Sequence, residues 1–279
     1  MKIASYNINS LRRRLDHLEI LINKHRPDII GLQETKVQDA DFPLQGIHAM
    51  HYHAVFHGQK THYGVATLTR QPLADIQKGF IDDDDTSQKR LIISRHSLTN
   101  GEVLHVINGY FPQGENRSHP VKFPAKQKFY QDLLACLRQY HAASALVLVI
   151  GDMNISPEDI DIGIGEKNRK RWLQTGKCSF LPEERVMMQQ LKDWGLVDCY
   201  RYLYPQRREY SWFDYRSKGF EDEPRRGLRI DLILATPRLV DLCSRVDIDY
   251  AMRGMSVPSD HAPVIATFAD IEIADVLRP

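Results

Sequence analysis

The stretch Leu146–Ser156 reads LVLVIGDMNIS. Its apolar residues, β-branched in part, run unbroken from Leu146 to Ile150 and meet Gly151 and Asp152. The run is too short for a helix of its own, and its continuity predicts a strand buried on both faces. Side chains alternate along a strand, so Asp152 and Asn154 share one face if the extension continues, with Met153 opposite. Gly151 allows the backbone to bend or to approach a neighbour closely. Gly, Asp and Asn are also ordinary turn formers, and this stretch alone fits a turn equally well.

Working outward, residues 2–8 read as a strand, and LRRRLDHLEILINKH places Leu11, Leu15, Leu18 and Ile22 at helical spacing before Pro27. DIIGLQE is the next strand and ends at Glu34. Further strands are predicted at 52–57, 64–70, 90–97 and 103–110, with Asn100-Gly101 as a hairpin turn between the last two. AKQKFYQDLLACLRQY predicts a helix, with Phe129, Leu133, Leu134 and Leu137 on one stripe, and it precedes the opening strand. A helix at 182–194, strands near 211–215, 229–235, 246–250 and 262–268, and a short helix at 237–243 complete the pattern. Short strands interrupted by a few helices predict an α/β (α+β) fold of two mixed sheets packed together, helices outside, in one domain. The acidic run at 82–85 reads as a solvated loop.

The 279 residues are 42% hydrophobic and 26% charged, ordinary for a globular chain with a large core. A net charge of +1 excludes a global basic field, so any polyanion must meet a local patch. KNRKR at 167–171 and the group Arg225, Arg226 and Arg229 are such patches, with Lys36, Arg90 and Lys122 as single cations; each reads equally well as a solvated charged face. Cys136, Cys178, Cys199 and Cys243 form no CxxC and read as reduced thiols. The N-terminus lacks a signal-peptide core and no apolar run reaches membrane-spanning length, so a cytoplasmic address is expected.

The polar residues at the strand ends carry the chemistry. They are Asn7, Glu34, Tyr110, Asp152, Asn154, Asp231, Asp260 and His261. Singly, each has a bland reading as a turn former, a solvated acid or a structural histidine. Together they form an oxygen-rich set with one His, one Tyr and no Cys. That mixture suits magnesium, which prefers one or two carboxylates plus water and phosphate oxygens. Zinc would recruit Cys or several His. Ser259 is too close in sequence to His261 to serve as a separately presented nucleophile, and no G-x-S-x-G elbow exists. GIG at 163–165 lacks the third glycine of a dinucleotide fingerprint.

The segments SYNINSLR, IIGLQETK, NGYFPQG, IGDMNISP, SWFDYRSKG, GLRIDLILA and PSDHAPV, with KFPAK and DIGIGEKNRKRWLQTGKCSFLPEER, together resemble the endonuclease/exonuclease/phosphatase superfamily over nearly the whole chain. They are most similar to its exonuclease III branch of abasic-site endonucleases. The resemblance implies a DNase I-like four-layer α/β sandwich over residues 1–268, with 269–279 a tail of no catalytic importance. It implies a magnesium-dependent DNA-repair nuclease, with Mn2+ able to substitute, acting as a monomer. Its partner would be double-stranded DNA, especially abasic sites and 3′ ends.

By the same resemblance Glu34 is the principal metal ligand, in a metal set with Asn7, Asp152, Asn154, Asp260 and His261. Asp152 deprotonates the attacking water, Asn154 helps fix it, and Asp231 orients His261 against the scissile phosphate. Tyr110 sits at the phosphate. Lys36, Arg90, Gln113, Lys122, Trp212, Phe213 and Arg229 are the expected DNA contacts. Asn9 stands where some relatives carry Asp. A rival reading is a superfamily hydrolase of inositol phosphates or sphingomyelin; another is a non-catalytic DNA-binding protein on the same fold, which the presence of Glu34, Asp152 and His261 disfavours.

Overall fold

The computed structural model describes residues 1–73 and 75–274. In chain order its elements are β1 (Lys2–Asn7), α1 (Leu15–His25), β2 (Ile29–Gln33), α2 (Leu44–Ala49), β3 (His53–His57), β4 (Val65–Thr69), β5 (Ile76–Lys78) and β6 (Leu91–Ser97). They continue with β7 (Val103–Tyr110), α3 (Lys122–Leu137), β8 (Leu146–Asp152), α4 (Glu166–Thr175), α5 (Pro182–Trp194), β9 (Val197–Asp198) and α6 (Cys199–Leu203). The last are β10 (Asp231–Ala235), α7 (Pro237–Leu242), β11 (Cys243–Ile248), α8 (Tyr250–Arg253) and β12 (Val264–Phe268).

The strands form two six-stranded mixed sheets, ordered β11-β12-β1-β2-β4-β3 and β5-β6-β7-β8-β10-β9. Each contains one parallel pair, β1–β2 and β7–β8. The period of two along β8 explains its unbroken apolar run. Leu146, Leu148 and Ile150 pack between the sheets, while Val147 and Val149 pack under Phe129, Leu133 and Leu191 of α3 and α5. The other sheet buries its outer face under α1, through Ala4, Ile30, Leu32, Leu18 and Leu21. Four layers result, as expected.

The same parity places the polar strand ends. Ile3 faces the other sheet, and Asn7 is four residues on; Leu104 and Val106 precede Tyr110; Leu148 and Ile150 precede Asp152; Ile233 and Ala235 follow Asp231. All four polar residues therefore continue the inter-sheet face. Register aligns them: Asp152 pairs with Tyr110 on one side and Asp231 on the other. Behind them lies an amide layer, where Gln33 Nε2 donates to Asn108 Oδ1 at 2.8 Å and Asn108 Nδ2 donates to the Ala66 carbonyl. Gly151 permits the tight β7–β8 approach, since a Cβ there would lie 1.9 Å from the Gly109 carbonyl oxygen.

One expected strand is corrected, and two further segments gain a structural setting. Residues 211–215 form no strand; they cross as a loop, with Trp212 bridging both Leu228 and His261. The basic run at 167–171, read from sequence only as a charged patch, lies on a helix, α4. Residues 269–274 of the expected tail are held against the sheets. Ile271 is buried in the inter-sheet core, Ala274 N–H donates to the Ser97 carbonyl, and the N-terminal ammonium donates to the Ile271 carbonyl. These contacts lie at the end of β1 opposite Asn7. The rest of the expected tail, 275–279, lies outside the described residues. Among the described residues no helix is long and apolar enough to cross a membrane.

Candidate active site

The inter-sheet face opens at the strand ends into a continuous chain of polar contacts. Asp231 accepts from His261 Nδ1, at 2.8 Å and 3.0 Å to its two oxygens. His261 Nε2 lies 3.8 Å from Asp152 Oδ2. That same oxygen accepts from Asn7 Nδ2 at 2.9 Å, and Asn7 Nδ2 also donates to Glu34 Oε1 at 3.1 Å. Ligand atoms of Glu34, Asp152 and His261 all lie within 4.8 Å of one another. Glu34 reaches this face because its backbone is left-handed, φ 49°, which turns it out of the alternation of β2. Asn154 is also left-handed, φ 51°. Extension therefore ends at Asp152, and Asn154 folds back so that its N–H donates to Asp152 Oδ1 and its Nδ2 to the Phe111 carbonyl. The opening segment is thus both a strand and a turn.

The electrostatics follow from burial and crowding. Burial raises the pKa of Asp152; His261 opposes this, Asp231 and Glu34 add to it, and the value reaches about 7. Burial disfavours the imidazolium of His261, but Asp231 and Asp152 outweigh it and raise its pKa to about 10. Burial acts to raise Glu34 as well, yet the Lys36 ammonium, 2.8 Å from Oε2, and the Asn7 amide hold it below the usual carboxylate value. Burial, then Glu34, keep the Tyr110 phenol neutral, far above its ordinary value. Burial acts to raise Asp260, but His261 and the bonds from Asn9 Nδ2 at 2.8 Å and Trp212 Nε1 at 3.0 Å hold it below the usual carboxylate value. Asn9 also accepts from Lys36 at 2.6 Å and so links the two acidic positions.

Ser259 has a structural part: its Oγ donates to the Asn7 carbonyl and accepts from His261 N–H. Three expected DNA contacts, Phe213, Arg229 and Arg90, are buried. Phe213 is fully buried, its ring edge-on to Phe220 and Tyr250. Arg229 is 1% exposed and forks onto Asp161, with a further bond to Asp198. Partners distant in sequence draw both inward, aromatic rings for Phe213 and carboxylates for Arg229. Arg90 is also buried, its guanidinium stacked between Tyr63 and Tyr110 at 4.1 Å and 4.7 Å, so it supports Tyr110 from below. Tyr63 was not anticipated, because it reaches the site from a loop with no periodic signal. Lys36, Gln113 and Trp212 stay half-buried at the rim and Lys122 is exposed.

A model of the Endonuclease/Exonuclease/phosphatase family matches residues 4–261. The chain is 55% identical, over 96% of its length and all of the relative's, to exodeoxyribonuclease III of Haemophilus influenzae. Its fold superposes with TM-score 0.86 on the Neisseria 3′ phosphatase NExo bound to a product DNA hairpin, at 35% identity, covering 96% of this chain and 99% of that one. An AP endonuclease from Archaeoglobus fulgidus gives the same TM-score at 33% identity, with the same coverage. With the matching motifs converging on one inter-sheet cluster, the chain belongs to the endonuclease/exonuclease/phosphatase family.

Proposed function

We propose that this protein is a metal-dependent DNA-repair nuclease that cuts the backbone 5′ to abasic sites, digests duplex DNA 3′→5′ and clears blocked 3′ ends. The observation that carries the reading is the unbroken Asp231–His261–Asp152–Asn7–Glu34 contact chain. The donor set fits a hard divalent cation: the carboxylate oxygens of Glu34 and Asp152 converge across one shared amide, with ligand atoms within 4.8 Å of one another. Magnesium, with Mn2+ as substitute, would be held mainly by Glu34, assisted by Asp152 and by Asn7 and Asn154 as orienting amides, with Asp260 alongside. Bound there, it supplies Lewis-acid neutralisation of the phosphate oxygens and of the leaving 3′-oxygen.

The chain's own residues divide the remaining work. Asp152 accepts the proton of the attacking water, and a base with a pKa near neutrality suits that role. His261, protonated and held by Asp231, donates from Nε2 to a phosphate oxygen as negative charge grows. In this reading His261 acts on the phosphate; a ring nitrogen also lies within 4.8 Å of ligand atoms of Glu34 and Asp152, the place expected of it in the metal set. Tyr110, kept neutral, donates its phenolic proton to the same group. Trp212, tied to Asp260, forms one wall of a pocket for a sugar that has lost its base and its stacking partners. The protein acts as a cytoplasmic monomer in this reading. Incision of an abasic-site duplex that appears with added magnesium and disappears with chelator tests it; no cleavage of abasic or 3′-recessed duplex at any metal concentration would refute it.

DNA is gripped through free rim cations. In α4, Arg169 and Lys170 pair with Glu166, and Arg169 also with Asp159, whereas Lys167 and Arg171 are exposed without an ion pair among the described residues. Arg226 is bonded to Asp222, and Arg225 lies over the Phe220 and Tyr250 rings. Replacing Lys167 and Arg171 with Ala is expected to flatten the log–log salt dependence of duplex binding by about 0.9 per lost phosphate contact. Arg229→Ala should leave that slope alone and instead remove about 3–5 kcal/mol of stability by stranding buried carboxylates. Salt titrations and melting curves of the two variants check the contrast.

Trp212→Ala tests the pocket. Abasic-site incision should fall at least about tenfold while hydrolysis of a small phosphodiester stays within about threefold of wild type. Melting should change little. A loss of about 3–5 kcal/mol with both activities falling in parallel would make Trp212 a core residue instead.

A further inference from the structure

Two stretches of the resemblance, KFPAK beyond its Lys122 and LPEER, have no part in the site so far. Their Lys126 and Glu184 meet in the core. Both side chains are fully buried, with Nζ 2.5 Å from Oε1. The ammonium also donates to the Asn154 carbonyl at 2.8 Å and to the Gln113 carbonyl at 3.3 Å, so all three of its protons have acceptors. The second Glu184 oxygen accepts from Leu181 N–H and caps α5. The lysine stem passes beneath Gly114, φ +85°, where a Cβ would lie 3.0 Å from Lys126 Cδ.

A buried ion pair is a poor way to gain stability, since apolar residues of similar volume do as well or better. What apolar residues would not do is hold two carbonyls of two different loops. Gln113 follows β7 and Asn154 follows β8. Asn154 is the residue whose N–H orients Asp152 and whose left-handed turn ends the strand. Without a donor behind it, its carbonyl would be buried and unpaired, and the turn would relax toward solvent.

We propose that Lys126, neutralised by Glu184, is a positioning residue for hydrolysis: it pins the Asn154 carbonyl and thereby the Asp152–Asn154 turn, together with the neighbouring Gln113 loop. The inference rests on the nuclease reading. It does not depend on the abasic-site preference, because digestion of 3′ ends reports on the same base.

The test is Lys126→Met/Glu184→Gln, which leaves no unpaired charge and keeps an acceptor for Leu181. The expected result is a fall in kcat of about 10- to 100-fold with KM within about threefold, as for a small displacement of a reacting group. Leu133→Ala, a core truncation on the same helix, should lower the melting temperature at least as much yet leave kcat within about twofold. In the double variant the Asp152 and Asn154 backbone amide resonances should shift while those of Val147–Val149 stay in place. That readout needs no activity, so it fails or holds separately from the nuclease reading. Unmoved resonances, or kcat that follows melting temperature across both variants, would overturn the proposal. Should the double variant not fold, Lys126→Gln/Glu184→Gln decides, since it too leaves no buried charge. Its shorter donor cannot hold both carbonyls, so the Asp152 and Asn154 resonances should still shift and kcat should still fall further than in Leu133→Ala; unmoved resonances refute the pinning role.

Discussion

Asp152→Asn and His261→Asn should each lower kcat for abasic-site incision by about 10²–10⁴-fold, the usual worth of a positioned proton acceptor or donor. Both variants should still bind the duplex, because neither side chain is among the rim cations. The double variant should be little worse than the worse single, since groups acting in one step lose their combined effect together. Fully multiplicative losses would assign them to separate steps. The pH profile adds an independent check. Asp152 accepts a proton only when ionised, and its pKa is raised to about 7. Turnover should therefore fall about tenfold per unit as pH drops below the Asp152 midpoint, which a neighbouring cation lowers. The alkaline limb should appear as His261 loses its proton, towards pH 10. Asp152→Asn should abolish the acid limb and move the alkaline one to lower pH, because Asp152 is one of the two carboxylates that raise His261.

Glu34→Ala should raise the magnesium concentration needed for half-maximal rate by more than about tenfold and cut the maximal rate by about 10² or more. The fold should survive. Glu34 sits at a loop start, and its charge adds to the pressure that raises Asp152. Removing one of two crowded carboxylates relieves that repulsion, so the melting temperature without metal should be unchanged or higher. Its loss also frees Lys36 from its nearest carboxylate. Direct titration of magnesium by calorimetry, beside melting curves, tests the assignment without relying on turnover. Wild-type metal affinity in the variant would remove Glu34 from the site.

Much of this site is legible in the chain because strands have a period of two. Once Leu146–Ile150 is read as a strand, the place of Asp152 is set by counting, and the same holds for Asn7, Tyr110 and Asp231. The loops resisted that reading. Trp212 and Phe213 are adjacent and aromatic, and only packing decides that Phe213 turns into the core while Trp212 bonds Asp260. Arg229 looks like Arg225 and Arg226, all three being arginines within five residues of chain. It is buried because Asp161 and Asp198, distant in sequence, arrive to neutralise it. Arg90 pairs with aromatic rings for the same reason.

The sequence by itself determined the two-sheet α/β plan, the oxygen-rich character of the site and the strand-end residues that supply it, because alternation and residue chemistry are local properties. Only the tertiary structure decided which cations face DNA, how Asn154 and Glu34 leave the strand alternation, and that Lys126 stands behind the base. Those outcomes depend on which distant carboxylate, carbonyl or ring fills the space beside each side chain, and no spacing along the chain encodes that.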